Sequence, residues 1–147
     1  MNSTDLEKLS RLLENQLNLQ NSLLAIEKRK TDVLVEGNIE KLDGILKEEQ
    51  FLLLNCAGLK NQRETFLKEC GLCGRSLHKI AEEFDREGQY RLKSRLENLS
   101  DVLGRLKKTN GTNKRILDSR LFVLNRCMTL LGMEQQAVVY DRDGHIE

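Results

Sequence analysis

Cys70 and Cys73 stand two residues apart, the half-site spacing used by zinc and by redox dithiols. His78, together with Cys56 or Cys127, would complete a tetrahedral set on paper. The sequence, however, holds no second closely spaced pair, and no strand–helix context of a thioredoxin-like motif surrounds this one. Cys70 falls on an apolar row and Cys73 in a glycine-flanked turn, so packing and loop roles account for both better than metal or redox chemistry does. Acid–base or nucleophilic catalysis needs groups that converge in a concave, water-poor site. The two histidines, His78 and His145, lie near the start of a short segment and near the chain end. Asp and Glu alternate with apolar positions as on a solvated helix face, and neither a Glu-x-x-His pair nor a glycine-rich phosphate loop occurs. These residues call for no cofactor and no metal, and the chain reads as non-enzymatic.

The elements around these residues are helical. Leucine occurs 28 times against 12 Val plus Ile, 4 Phe, 2 Tyr and no Trp or Pro. Leu loses little rotamer freedom in a helix, and without Pro nothing forces an early stop. The 147 residues suffice for one domain with a continuous core. Charged residues make up 32% but nearly cancel, 24 basic against 23 acidic, so no global field would draw in nucleic acid, and the few aromatics offer bases little to stack on. The longest apolar runs reach only four residues, as in Phe51 to Leu54, which argues against membrane insertion and a secretory signal and points to the cytoplasm, where the cysteines stay reduced.

Periodicity then sets the plan. Thr4 and Glu7 have capping-box spacing and predict a helix over about 5–35, with Leu9, Leu12, Leu19, Leu23, Ile26 and Val33 at three- and four-residue steps, interrupted by Gln16 and Lys30. Gly37 and Asn38 supply a helix stop and a new cap, so a second helix over about 39–70 should return antiparallel to the first. Gly71 and Gly74 mark a break, and Ser76 caps a short linking helix over about 76–87. The most regular repeat follows, Leu92, Leu96, Leu99, Leu103, Leu106, Asn110, Asn113, Leu117, Arg120, Leu124, Cys127 and Leu131, and predicts a helix over about 89–131. The expected fold is all-α, an elongated antiparallel helical bundle or coiled coil of three long helices plus one short linking helix. The helical domain is expected over 1–136, and residues 137–147 are expected to form a flexible C-terminal tail.

Two features exceed what a plain bundle needs. Asn110 and Asn113 occupy core-type positions around Gly111, which points either to register control by a buried amide or to a hinge that loosens to receive a partner. Tyr140 is a lone aromatic in a polar tail followed by a turn signal, as suits a docking anchor. Charge is also segregated: residues 89–130 carry 10 basic and 3 acidic side chains, while the rest is net acidic, which favours pairing between helices over attraction of an outside partner.

The Glu36-Gly37-Asn38 turn, the Leu106, Asn110, Asn113, Leu117 pattern and the closing Tyr140-Asp141-x-x-Gly144 resemble the FlgN-type flagellar export chaperones over nearly the whole chain. The Cys70 to Gly74 linker and Gly111 depart from that pattern. The resemblance implies a cytoplasmic chaperone that binds hook-associated proteins of the FlgK and FlgL type through its C-terminal helix and delivers them to the export gate. By matching position, the substrate-binding residues would be Leu117, Leu121, Leu124, Met128 and Leu131, with Tyr140 the anchor at the export gate. The rival reading is a structural or regulatory coiled-coil protein that self-associates, and a homodimer is compatible with the same leucine seams.

Overall fold

The computed structural model describes residues 1–132; residues 133–136 of the expected helical domain and the expected tail over 137–147, Tyr140 included, lie outside them. Four helices follow in order: α1 (Ser3–Glu36), α2 (Ile39–Glu69), α3 (Leu77–Phe84) and α4 (Leu92–Leu130). The protein is all-α, as its leucine periodicity requires.

The start of α1 differs from the expected one. Asn2, not Thr4, is the N-cap: its side-chain oxygen accepts from the Asp5 amide at 2.8 Å, and Asp5 Oδ2 accepts from the Asn2 amide at 3.2 Å. The earlier start carries Met1 against the core formed by Leu6, Leu9 and Leu13. At the far end Gly37 takes a left-handed φ of 79° and its amide donates to the Val33 carbonyl at 2.9 Å, while the Asn38 side chain caps α2 by accepting from Lys41 at 3.1 Å. This two-residue turn folds α2 back along α1.

Helix α1 is central, packing along α2 on one flank and along α4 on the other. Residues on α1 and α4 that meet rise together in number, Ser10 with Arg95, Glu27 with Asn113 and Val35 with Arg120, so α4 runs parallel to α1 and antiparallel to α2. The largest core lies where all four helices meet and includes Leu9, Leu13, Phe66, Ile80, Leu92 and Leu96. Each such side chain, fully buried, stabilises the fold by about 1.5–3 kcal/mol. Above it the core divides. Leu24 joins Val102 and Leu106 between α1 and α4, whereas Ile26 and Val33 join Ile45 between α1 and α2.

Both polar interruptions of the α1 row prove to be ties to α2: Gln16 accepts from Arg63, and Lys30 reaches Glu49 at 3.0 Å. The junction before α4 holds a second polar knot. Asp85, which ends α3, is buried, and its two carboxylate oxygens accept from the Tyr90 amide at 3.0 Å and the Leu92 amide at 3.1 Å. Ser10 of α1 donates to the Tyr90 carbonyl at 2.7 Å and accepts from Arg95 at 2.8 Å. Helix α4 therefore begins three residues later than the periodicity suggests, after Arg91 in a left-handed conformation with φ 58°, and Asp85 provides the cap that Arg91 does not.

Candidate protein-binding surface

Asn113 is the last buried residue of α4; from Lys114 to Gly132 every side chain is exposed or half-buried. The cause is the length of the neighbours. Helix α1 ends at Glu36, where Arg120 donates to the Val35 carbonyl, and α4 continues for ten residues beyond that contact, about 15 Å of helix. Arg120 also lies over the turn, where a Cβ on Gly37 would stand 3.1 Å from its Nη1, so this glycine serves both the left-handed turn and the close approach.

The overhang is apolar. Leu124 and Leu131 are 54% and 73% exposed, Leu121 and Met128 are half-buried on the same face, and Leu117, just before Arg120, continues that row at 42% exposure. Phe122, Val123 and Leu130, outside the heptad row, are exposed as well, so this helix end is apolar over more than one face. The run Leu121-Phe122-Val123-Leu124 was the available signal for Phe122 and Val123. Contiguous exposed apolar side chains of this kind mark surfaces that meet another macromolecule.

A second open region lies between α2 and α4. Helix α2 buries Ile45, Phe66 and Leu67, while Ile39, Leu46, Phe51, Leu53 and Leu54 remain exposed. Leu53 and Leu103 face a cleft of about 370 Å³ whose lining includes Leu23, Leu106, Glu27 and Glu49. Asn110 also lines this cleft and is exposed, unlike Asn113, so the two asparagines do not share a core environment as the repeat suggests; α4 turns one to the opening and the other onto α1. Gly111 between them sits in unbroken helix.

Glu27 departs from the solvated-face reading of the acidic residues. It is 5% exposed and accepts from Asn113 Nδ2 at 3.1 Å, while Thr31 donates to the Asn113 side-chain oxygen. Burial, and next a hydrogen bond to the neighbouring Glu49 carboxyl, push the Glu27 pKa up to about 7 against the opposing pull of Lys30. Glu49 moves the other way: burial would raise it, but hydrogen bonds from Glu27 and Lys30 together hold it below the ordinary carboxylate range.

The cysteines do not gather. Cys73 is exposed in the glycine-flanked turn and Cys127 is exposed on α4; Cys56 and Cys70 are half-buried, and burial is the first cause raising both thiols. Higher thiol pKa values leave less nucleophilic thiolate. Among the described residues no three His, Cys, Asp or Glu side chains come together as a metal ion would require, and no helix is long and apolar enough to cross a membrane. The basic character of α4 is turned mostly outward: Arg95 to Glu14 at 3.6 Å is, among the described residues, the ion pair joining it to α1.

Packed helices that leave one long helix end uncovered and apolar have the build of a protein-binding module. The sequence matches the FlgN protein family over residues 1–147, and the chain belongs to that family, whose members are flagellar export chaperones. Neither the curated proteins nor the solved structures gave a match.

Proposed function

We propose that this protein holds hook-associated filament-junction proteins of the FlgK and FlgL type in the cytoplasm and delivers them to the flagellar export gate. The exposed apolar end of α4 is the observation that carries the reading. An export cargo has segments that stay unfolded until assembly, and an amphipathic stretch within them would self-associate unless an apolar helix face covered it. Leu117, Leu121, Leu124, Met128 and Leu131 supply that face, and Tyr140 anchors the loaded chaperone at the gate. Ordering the guest opposes association, so the complex stays weak enough to release its cargo.

The test is calorimetric titration of a purified FlgK-type protein into the chaperone. The double substitution Leu124→Ser and Met128→Ser lowers affinity by about tenfold or more, the consequence of removing two interface anchors, with helicity unchanged by circular dichroism. Unaltered affinity removes this face from the mechanism. A wild-type chain that captures no hook-associated protein, yet has twice the expected mass by light scattering, would support the self-associating coiled coil instead.

A further inference from the structure

Three long helices here stand as in a four-helix bundle with one position vacant. Helix α1 touches both α2 and α4, but α2 and α4 spread apart around the cleft. Their facing edges are strict heptad rows. On α2 the row is Ile39, Leu46, Leu53; on α4 it is Leu103, Asn110, Leu117, Leu124, Leu131, and every member of both rows is exposed. Leu53 shares the cleft with Leu103, and the Gly37 turn meets Arg120. Two antiparallel helices that rise equally per residue therefore bring Leu46 to the level of Asn110 and Ile39 to that of Leu117. Rows of this spacing are the seams by which helices of a bundle receive a neighbour.

We infer that the trough between α2 and α4 is the seat of a fourth helix, supplied by the export cargo, with an apolar heptad row and one lysine or arginine placed to meet Glu27 and Glu49. The inference rests on the proposed function and adds to it the place and the chemistry of the guest. Two features select this occupant. The α4 edge of the trough is the same row that continues, through Leu117, into the exposed end of the helix, so a guest lying on Leu124 and Leu131 has the trough directly in line. The floor is also acidic beyond its own compensation. Glu27 from α1 and Glu49 from α2 share Lys30, which lies 4.0 Å from the first and 3.0 Å from the second, and Lys107 at the α4 rim makes an ion pair with neither. In the free protein the raised pKa of Glu27, about 7, lets a proton offset part of that deficit near neutral pH. A guest ammonium or guanidinium, its stem lying along Leu23, Leu53 and Leu103, replaces that proton with a fixed charge and releases it to solvent.

The experiment is titration of the intact chaperone with a purified FlgK-type protein at pH 7 in buffers of different ionisation enthalpy. Leu53 and Leu103 are half-exposed, so Leu53→Lys and Leu103→Lys leave the fold intact, as circular dichroism checks. Each is expected to weaken binding by about tenfold or more. Wild-type binding is expected to release about half a proton per guest at pH 7, and Glu27→Gln to bind without release. Wild-type affinity in both lysine variants, with loss in the Leu124→Ser and Met128→Ser protein, overturns the seat and leaves the proposed function standing. No capture by the wild-type chain overturns both. A concentration-dependent dimer that Leu53→Lys abolishes assigns the trough to a second copy and likewise overturns the inference.

Discussion

The side-chain amide of Asn113 on α4 donates to Glu27 on α1 twice, to the backbone carbonyl at 3.0 Å and to the carboxyl oxygen Oε2 at 3.1 Å. The Thr31 hydroxyl, one turn further along α1, lies within hydrogen-bond reach of both the Asn113 oxygen and the Glu27 carbonyl and shares its one proton between them, so the amide has partners on both ends. Sliding α4 by one turn would move this amide about 5.4 Å away and leave a buried carboxyl with no donor from α4. Of the two roles open to Asn113, register control is the one that would act through this contact.

Asn113→Ala is therefore expected to lower the unfolding free energy by about 1–3 kcal/mol, the cost of leaving buried polar groups unsatisfied. Asn113→Leu is expected to lose a similar amount although it fills the space, because the loss is of polar partners and not of volume. Urea unfolding checks both, read as a lower midpoint at unchanged slope. If the leucine variant matches the wild type, packing alone sets the register.

Glu27 gives stability a pH dependence whose sign is fixed by its raised pKa. Between its unfolded value of 4.5 and about 7 the folded protein holds a proton that the unfolded chain has lost, so this contribution falls as pH rises through that window. Glu49, with its lowered pKa, contributes stability above its unfolded value and loses it as pH falls through the folded one. The pair thus favours mildly acidic solution. Glu27→Gln keeps a donor toward Glu49 and an acceptor for Asn113, and is expected to flatten the fall between pH 5 and 8 and to stabilise at pH 8 by about 1–2 kcal/mol. Thermal melts across that range check it; a Gln variant with the wild-type slope would place the titrating proton elsewhere.

The helices were legible in the sequence because Leu spacing, Gly37, Asn38 and Ser76 act through local geometry, which a single chain segment determines. What escaped depends on which helix lies beside which. Glu27 reads as one more solvated acid until Asn113 of α4 and Glu49 of α2 are brought beside it, and Asp85 reads as an ordinary residue of the linking helix until its carboxylate caps the start of α4 from seven residues upstream. The repeat through Asn110 and Asn113 could not say that one amide faces the cleft and the other α1, since a wide apolar stripe is compatible with either rotation of the helix. For the proposed cargo face, Leu117 to Leu131 were marked from the family pattern, while Phe122, Val123 and Leu130 lie off the repeat and become conspicuous only when no neighbour covers them.

Gly111 separates a rigid α4 from a hinged one. It lies in continuous helix, and a Cβ added there meets open space, so alanine fits without moving a neighbour. Alanine also restricts the unfolded chain, which stabilises a helical site by about 0.4–1 kcal/mol. Gly111→Ala is thus expected to raise the melting temperature by about 1–4 °C. Cargo affinity distinguishes the two mechanisms. If α4 offers its apolar end as a straight continuation of the packed half, the stiffer helix binds as well as the wild type or slightly better, because less ordering remains to oppose association. A variant that melts higher yet binds several-fold more weakly would mean that α4 bends at Asn110 to Asn113 to receive its guest, and that glycine is kept there for that bend.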